Sequence, residues 1–371
     1  MEIIHVVLGK VNPERMNGVN KVVYQLVSRQ VTARKNASVW GITNELSHNY
    51  GERNFETRLF KAQTNPFTVD KSLVQAIQGQ KGKAVFHLHG GWVPTFSKVS
   101  ALLYHKEIPF VFTPHGAYNT IAMQRSKWRK KLYFQLFEKQ LLNRAAKIHC
   151  IGQSEVSGIR SIYPTNKTFL LPYGFEINPI PVRQDQANQA PFTLGFVGRL
   201  DIYTKGLDVL LSAFAAFQRK VKNTQLWIVG DSTERNKLDK MISAKHLQGK
   251  VTLWGSKYGW EKEELMQKMH LFAHPSRNEG LPSAVLEASA MGIPCIVTRA
   301  TNVGEAIVRY QSGLVIENED VAALEKAIHD LYQQWKENRL TLMAANAQKM
   351  VKVEFSWNRI IHAFDELYQV S

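Results

Sequence analysis

Two glutamates, Glu279 and Glu287, stand eight positions apart in a segment suited to binding a ligand. A strand-like run at 271–274 precedes them, and a helical run at 284–290 holds the second. We expect Glu279 in the strand-to-helix turn and Glu287 about two helical turns on, pointing roughly the same way. Carboxylates accept hydrogen bonds from several hydroxyls, and such turns bind ligands in open α/β sheets. The pattern favours a polyhydroxylated ligand; a solvated loop carboxylate and a helix-surface carboxylate are the alternative.

A second candidate site is the glycine-bounded loop 198–206, which follows a predicted strand at 193–197. Arg199 offers a forked pair of donors and Lys205 a point charge, while the helix N-terminus near Gly206 adds partial positive charge. Opposite unit charges about 4 Å apart gain about 4 kcal/mol at an effective dielectric near 20. The loop therefore suits a departing diphosphate, although it is neither a Gly-x-Gly-x-x-Gly nor a Walker sequence. A surface loop with incidental cations is the alternative.

Two candidate groups in the first half of the chain also follow predicted strands. His115 lies in Pro114-His115-Gly116, directly after the strand at 109–113, where side chains commonly face a ligand. Gly18 follows the first strand, and its missing side chain would let backbone N–H groups approach an anion or a sugar. A hydrogen-bonded strand-end histidine and a simple turn are the respective alternatives.

A pair of histidines, His87 and His89, lies at the end of another predicted strand. Strand alternation points both side chains to one face, which makes a metal pair conceivable. No third ligand lies near them in the sequence, so we predict that no metal is bound.

These residues depend on elements that alternate strand and helix along both halves of the chain. Short apolar strands between helices indicate parallel sheets covered by helices on both faces. At 371 residues the chain is too long for one typical core. The predicted strands are 3–8, 37–42, 84–88, 109–113, 147–151, 168–171, 193–197, 225–229, 251–254, 271–274, 294–298 and 313–316; helical patterns include 207–219, 283–291 and 321–335.

Composition and charge narrow the class of protein. The content is 44% hydrophobic and 21% charged, as in globular proteins, with no apolar run of the ~18 residues that a membrane span needs. Two cysteines in apolar runs read as buried thiols and fit a cytoplasmic protein. The net charge is +16. Residues 1–190 hold 25 basic and 11 acidic residues, against 22 and 20 in 191–371, which implies an anionic partner for the first half.

The segment 125–147 predicts a basic amphipathic helix, with Trp128, Leu132 and Leu136 at four-residue spacing. Basic residues crowd its N-terminal end, where the helix dipole disfavours them. An anionic membrane surface gives about 1 kcal/mol per nearby basic residue, enough for reversible docking but not for insertion. A core-packing helix with a solvated basic face is the alternative.

Taken together, these motifs resemble the retaining glycosyltransferases of family 4, over nearly the whole chain. The resemblance implies the GT-B fold: two Rossmann-like domains whose parallel sheets face a central cleft. Residues 1–175 would bind the acceptor, 176–191 would form the linker, and 192–355 would bind the nucleotide sugar. The C-terminal helix 356–371 would pack back on the first domain.

The resemblance also implies residue roles. Arg199 and Lys205 would hold the donor diphosphate, Glu287 the ribose hydroxyls, and Glu279 the donor sugar. The remaining roles fall on His115 near the anomeric carbon, Tyr258 beside the base, Gly18 at the diphosphate, and the backbone N–H groups of Gly280 and Leu281 at the sugar or phosphate. Two departures stand out: Asn17-Gly18 replaces a common glycine pair, and six positions separate Arg199 from Lys205, where some members have five.

The implied activity is transfer of a sugar, with retention, from a UDP- or GDP-linked donor to a lipid-linked sugar or oligosaccharide. Such an enzyme would work at the inner face of the cytoplasmic membrane in cell-surface polysaccharide synthesis. No Asp-x-Asp occurs in the chain, which agrees with catalysis without a metal or other cofactor. A nucleotide-sugar 2-epimerase is the alternative within the fold. A basic nucleic-acid-binding protein is the alternative outside it, but no sequence signature of one is present.

Overall fold

The computed structural model describes residues 1–12, 18–48, 50–118, 123, 127–176 and 191–370. The chain forms two compact units, one of Met1–Gly174 with Trp357–Ser371 and one of Phe175–Ser356. Most of the predicted linker 176–191 therefore lies outside the described residues.

The first unit is built on a seven-stranded sheet in the order β3-β2-β1-β4-β5-β6-β7, with every pair parallel. Sequence analysis misses only β3, an edge strand in which Phe60 alone is buried, so that it lacks the apolar run of an interior strand. The strands are β1 Glu2–Leu8, β2 Ala37–Thr43, β3 Thr57–Lys61, β4 Ala84–His89, β5 Phe110–Thr113, β6 Lys147–Cys150 and β7 Thr168–Leu170.

Helices surround this sheet, and one of them corrects a prediction. The basic helix is shorter than 125–147: it ends at Arg144, a π-helical turn at Phe134–Glu138 interrupts it, and Lys147 already opens β6. The helices are α1 Gly18–Thr32, α2 Lys71–Gln78, α3 Pro94–His105, α4 Lys127–Tyr133, α5 Lys139–Arg144 and α6 Gln153–Ile162; the C-terminal helix Trp357–Tyr368 belongs to the same unit.

The second unit is built on a six-stranded sheet in the order β10-β9-β8-β11-β12-β13, again parallel. Its strands are β8 Phe192–Val197, β9 Thr224–Val229, β10 Val251–Gly255, β11 Leu271–His274, β12 Cys295–Thr298 and β13 Gly313–Ile316. Its helices are α7 Leu207–Lys220, α8 Arg235–Ala244, α9 Gly259–Gln267, α10 Ser283–Ala290, α11 Gly304–Tyr310, α12 Val321–Lys336 and α13 Thr341–Glu354; the C-terminal helix becomes α14.

Both sheets have the Rossmann strand order, so the fold-class prediction is confirmed. Residues alternate along the strands of the second sheet between two apolar clusters: Leu194 and Phe196 pack on one face, Val197 and Phe272 on the other. The strand order reverses between β8 and β11. Loops that leave two such strands diverge and open a crevice at their carboxyl ends, which is where loop 198–206 and the Glu279 turn lie.

Candidate functional site

The loop after β8 and the turn after β11 are held in direct contact. Gly206 has φ +67°, and a Cβ atom there would lie 2.0 Å from the carbonyl oxygen of Pro275, so only glycine fits. The carbonyl oxygen of Thr204 accepts from the N–H of Arg277 at 2.9 Å and from the hydroxyl of Ser276 at 2.8 Å. These contacts bring together two segments that sequence analysis treats as separate sites.

Lys205 and Glu279 form an ion pair at this junction. The Lys205 ammonium donates to Oε2 of Glu279, and the two side chains are only 17% and 15% exposed. His274, at the end of β11, places its Nε2 2.9 Å from the same oxygen. The other oxygen, Oε1, accepts no hydrogen bond within the described parts of the chain, and it is not among the buried unpaired atoms. Glu279 is thus anchored through one oxygen and open through the other.

Glu279 is ionised at neutral pH. Burial by itself would raise the pKa of this carboxyl, but the hydrogen bond from His274 and the charge of Lys205 lower it to about 2. An ionised carboxylate only accepts hydrogen bonds, so Glu279 suits hydroxyl groups and does not act as a proton donor.

The Glu279 turn is braced by residues that sequence analysis did not identify. Arg277, on the turn, makes a forked pair of 2.8 Å hydrogen bonds to Asp208 at the start of α7 and also pairs with Glu319. Asn302 donates to the carbonyl oxygens of Glu279 and Gly280 at 2.6 and 2.9 Å. The only sequence signal for Arg277 is its place two positions before Glu279; His274 could have been found as a strand-end histidine, like His115.

The backbone directly after Glu279 offers hydrogen-bond donors. Within the described residues, the N–H groups of Gly280 and Leu281 have no acceptor, and α10 begins two residues later at Ser283. Free N–H groups at the start of a helix attract anionic or hydroxyl-bearing ligands. The binding role of these two residues stays a prediction.

Glu287 and Tyr258 belong to neighbouring helices. Glu287 lies in α10, and its Oε2 is 2.7 Å from the ammonium of Lys262 in α9. Tyr258 caps the N-terminus of α9, one turn before Lys262, and is exposed. The predicted ribose residue Glu287 is thus paired with the helix that Tyr258 caps, through a lysine that was not identified from the sequence.

Arg199 differs from Lys205 in being largely exposed. Its side chain is 72% exposed, with its nearest ion-pair partner, Asp201, at 3.5 Å. It lies in the same loop as Lys205, and the loose pairing leaves its guanidinium available to a ligand.

His115 occupies a constrained turn in the first unit. Its φ is +54° and that of Gly116 is +80°, a left-handed pair that costs free energy at His115. Two buried carboxylates hold this turn: Glu155 accepts from the N–H of Gly116 at 2.5 Å, and Glu138 accepts from the hydroxyl of Tyr118. Burial raises the pKa of each carboxyl to about 7.

The histidines of β4 correct one argument from the sequence. Parallel pairing of β1 with β4 sets His5 opposite His87, so His5, His87 and His89 have nitrogens within 4.8 Å of one another. The inference that no third nitrogen ligand lies near is therefore wrong, because strands distant in sequence are neighbours in the sheet.

Gly18 opens α1, and nothing lies within 4 Å of where its Cβ would be; Asn17 lies outside the described residues.

The basic helix carries three of its apolar residues outward, whereas Phe134 and Leu141 are buried. Trp128, Leu132 and Leu136 are 80%, 63% and 53% exposed, and Lys131 lies over the Trp128 ring at 5.8 Å. We call these three residues the apolar stripe. Within the described parts of the chain, no helix combines the length and the apolar character needed to cross a bilayer.

Comparison with known families covers most of the chain. The family model described as "Glycosyltransferase Family 4" matches residues 16–178, and that described as "Glycosyl transferases group 1" matches residues 180–350. The capsular polysaccharide biosynthesis glycosyltransferase CapM of Staphylococcus aureus is 23% identical over 312 residues, covering 72% of this chain and 78% of CapM. The chain spans only about half the length of the next curated relatives that it matches.

Solved structures with the same fold match end to end. The sucrose-phosphate synthase of Thermosynechococcus elongatus has a TM-score of 0.74 at 17% identity, covering 100% of this chain and 98% of that one. The Anabaena protein HepE, solved in complex with UDP, has a TM-score of 0.74 at 16% identity, covering 99% of both chains. At such identities the likeness establishes the fold alone, and the two matched family models supply the activity class. The chain therefore belongs to the glycosyltransferases with the GT-B fold that resemble family 4.

Proposed function

We propose that this glycosyltransferase moves a sugar, with retention at the anomeric carbon, from a UDP- or GDP-linked donor to a hydroxyl of a lipid-linked sugar or oligosaccharide. One observation carries the donor part: Lys205, Glu279 and His274 meet at the strand-order reversal, beside the free N–H groups of Gly280 and Leu281. HepE in complex with UDP lends support as a structural neighbour. The relative CapM, named for capsular polysaccharide biosynthesis, supports the assignment to cell-surface polysaccharide.

In this proposal the diphosphate binds along loop 198–206. Lys205 has three N–H donors, of which Glu279 uses one, so the ammonium can grip phosphate while it stays paired. Arg199 adds a forked donor. Positive charge placed where the leaving diphosphate develops negative charge lowers the barrier to transfer.

Glu279 holds the donor sugar through its open oxygen, Oε1. The anchored oxygen, Oε2, fixes the orientation of the carboxylate because it is bound by two partners. Glu287 binds the ribose hydroxyls and Tyr258 lies beside the base. From the first domain, His115 contributes near the anomeric carbon and Gly18 at the diphosphate.

The reaction proposed here needs no metal ion or other cofactor. Lys205 and Arg199 supply the positive charge that a divalent cation would otherwise bring to the diphosphate. Transfer activity that survives chelation with EDTA is the expected result, and restoration of lost activity by Mg²⁺ or Mn²⁺ would contradict it.

We further propose that the enzyme docks on the anionic inner face of the cytoplasmic membrane. The apolar stripe lies on the same helix as Lys130 and Lys131, and amphipathic basic helices bind anionic interfaces in this way. The basic surplus of the first half of the sequence supports the same partner.

The stereochemical outcome tests the proposal. Purified enzyme, a panel of UDP- and GDP-sugars and a short lipid-linked saccharide are incubated, and the anomeric configuration of the new bond is read by NMR. A product with the α configuration from an α-linked donor is expected. A β-linked product would contradict retention, and epimerised donor without transfer would establish the epimerase alternative.

A further inference from the structure

Five histidines of the first unit converge at the carboxyl-end half of its sheet. They come from four adjacent strands or the turns that follow them, because parallel register aligns β1, β4, β5 and β6. They are His5, His87, His89, His115 and His149. Four are buried and His115 is partly exposed. Of the five, the proposed function uses only His115.

Hydrogen bonds join these rings into one continuous chain with three other side chains, those of Gln30, Thr113 and Tyr368. The links run His115–His89 at 3.0 Å, His89–His5 at 2.9 Å, His5–Gln30 at 2.8 Å and Gln30–Tyr368 at 3.2 Å. They continue Tyr368–His87 at 2.8 Å, His87–Thr113 at 2.5 Å, Thr113–His149 at 2.8 Å and His149 to the carbonyl oxygen of Leu171 at 2.7 Å. We call this series the histidine chain.

The last link fixes the direction of the chain. A carbonyl oxygen only accepts, so Nε2 of His149 must carry a hydrogen, and its Nδ1 must then accept from the hydroxyl of Thr113. Thr113, having used its one hydrogen, accepts from Nε2–H of His87. The Nδ1 of His87 therefore accepts from the Tyr368 hydroxyl.

The hydrogen bonds keep this direction as far as His115. Tyr368, now a donor to His87, accepts from the amide N–H of Gln30, which leaves the Gln30 oxygen to accept from Nε2–H of His5. The Nδ1 of His5 then accepts from Nε2–H of His89, and the Nδ1 of His89 from Nε2–H of His115. Only Nδ1 of His115 remains without an assigned role.

The five rings are neutral, because their surroundings disfavour the charged form. Burial lowers the pKa of His5 and His149 to about 4 and that of His115 to about 3, and it holds those of His87 and His89 well below their usual range. A neutral imidazole has one donor and one acceptor nitrogen.

A metal ion at His5, His87 and His89 fits this geometry less well. All six of their ring nitrogens are already in hydrogen bonds. The His5 and His89 nitrogens lie 2.9 Å apart, whereas two nitrogens bound to one tetrahedral zinc at about 2.0–2.1 Å would be roughly 3.3 Å apart. The three rings together offer no negative charge to a buried cation.

We propose that the histidine chain holds His115 as its Nε2–H tautomer, so that Nδ1 faces the reaction as a hydrogen-bond acceptor for a sugar hydroxyl. Gln30 and Tyr368 are then positioning residues, since the hydrogen bond that one ring nitrogen of a histidine makes decides which nitrogen carries the hydrogen. The identity of the hydroxyl rests on the proposed function; the tautomer does not.

The experiment reads the tautomers directly in the full-length protein. Histidine labelled with ¹⁵N is incorporated, and ring nitrogen–proton correlations are assigned by comparison with His115→Gln and His149→Gln. All five rings are expected as Nε2–H tautomers between pH 6 and 8. An Nδ1–H tautomer at His115 would overturn the proposal, as would displacement of the His5 and His89 signals by EDTA or stoichiometric Zn²⁺.

Two substitutions at Gln30 distinguish its role in hydrogen bonding from its role in filling space. Gln30→Leu removes the hydrogen bonds to His5 and to Tyr368, and it is expected to give His115 a mixture of tautomers. It should lower kcat/KM about tenfold, the effect of losing one net hydrogen bond. The affinity for nucleoside diphosphate should not change. Gln30→Glu keeps an acceptor for His5, and it should preserve both the tautomer and most of the rate.

The control is His270→Gln. His270 is a buried histidine of the second unit that accepts from the N–H of Thr193, and it lies outside the histidine chain. The rate of this variant should equal that of wild type. A pure Nε2–H tautomer and a wild-type rate in Gln30→Leu would overturn the proposal. If the wild-type protein shows the expected tautomers but transfers no sugar, the proposed function fails while the assignment of His115 stands.

Discussion

Lys205 and Glu279, which lie 74 positions apart, form one ion pair beside the carboxyl ends of β8 and β11. The pair joins the two sites that the sequence suggests separately, one for phosphate and one for sugar. In the proposed function, Lys205 would offset the charge of this carboxylate beside the diphosphate. The proposed diphosphate and sugar contacts would then depend on each other.

Glu279→Gln should lower kcat/KM about 10- to 100-fold while the protein stays folded. The reason is that hydrogen bonds from sugar hydroxyls to a charged acceptor are worth about 1.5–3 kcal/mol each. Glu317→Gln, which removes an exposed carboxylate of the same domain, serves as the control. Steady-state transfer kinetics give the answer, and turnover equal to wild type would remove Glu279 from the site.

Lys205→Ala should weaken binding of UDP or GDP about 10- to 100-fold. It removes a phosphate donor and also leaves the charge of Glu279 uncompensated. Affinity for the bare nucleoside should not change, because it lacks the phosphates. Calorimetry measures both, with Lys326→Ala on an exposed helix surface as the control; equal loss for nucleoside and diphosphate would point to a damaged fold instead.

The ion pair predicts coupling between the two mutations. Each single change leaves a largely buried charge without its counter-ion, whereas the double variant Lys205→Ala/Glu279→Gln leaves none. In urea unfolding, the free energy of unfolding lost in the double variant should be smaller than the sum of the two single losses, by about 0.5–3 kcal/mol. Strictly additive losses would show that the pair does not form in solution.

Most of this site's framework is predictable from sequence, but the pairing within it is not. The strand at 271–274 and the places of Glu279 and Glu287 follow from apolar runs and helical spacing, which are local. The Lys205–Glu279 contact and the approach of His5 to His87 depend on strand order, which local patterns do not encode. The missed residues Arg277 and Lys262 are ordinary surface types in the sequence, and only their partners give them roles.

Glu155, which holds the His115 turn, predicts a pH dependence of stability. Its folded pKa of about 7 lies above the unfolded value of 4.5, so the folded state binds more protons between these pH values. The carboxyl therefore lowers stability as the pH rises from about 4.5 to about 7, by up to about 3 kcal/mol. The free energy of unfolding of wild type minus that of Glu155→Gln should fall across this window and be flat above it. A difference that rises with pH would show a lowered pKa instead.

The apolar stripe and its lysines predict membrane binding. Lys130→Gln with Lys131→Gln should weaken binding to vesicles containing phosphatidylglycerol by roughly 30-fold, since each basic residue gives about 1 kcal/mol. Trp128→Ser should weaken binding to these vesicles further by removing the most exposed member of the stripe. Vesicle co-sedimentation measures both effects. The control is the double variant Lys268→Gln with Lys326→Gln on the second domain, which removes the same charge. Unchanged binding would leave the helix as a solvated face.

The most direct test of the proposed donor site is a calorimetric titration of the purified protein with UDP, GDP and ADP. We predict micromolar binding of either UDP or GDP, weakened about 10- to 100-fold in Lys205→Ala, and that result would also name the base of the donor. Absence of binding by all three would contradict a nucleotide-sugar site at Lys205 and Glu279, although the fold and the family would stand.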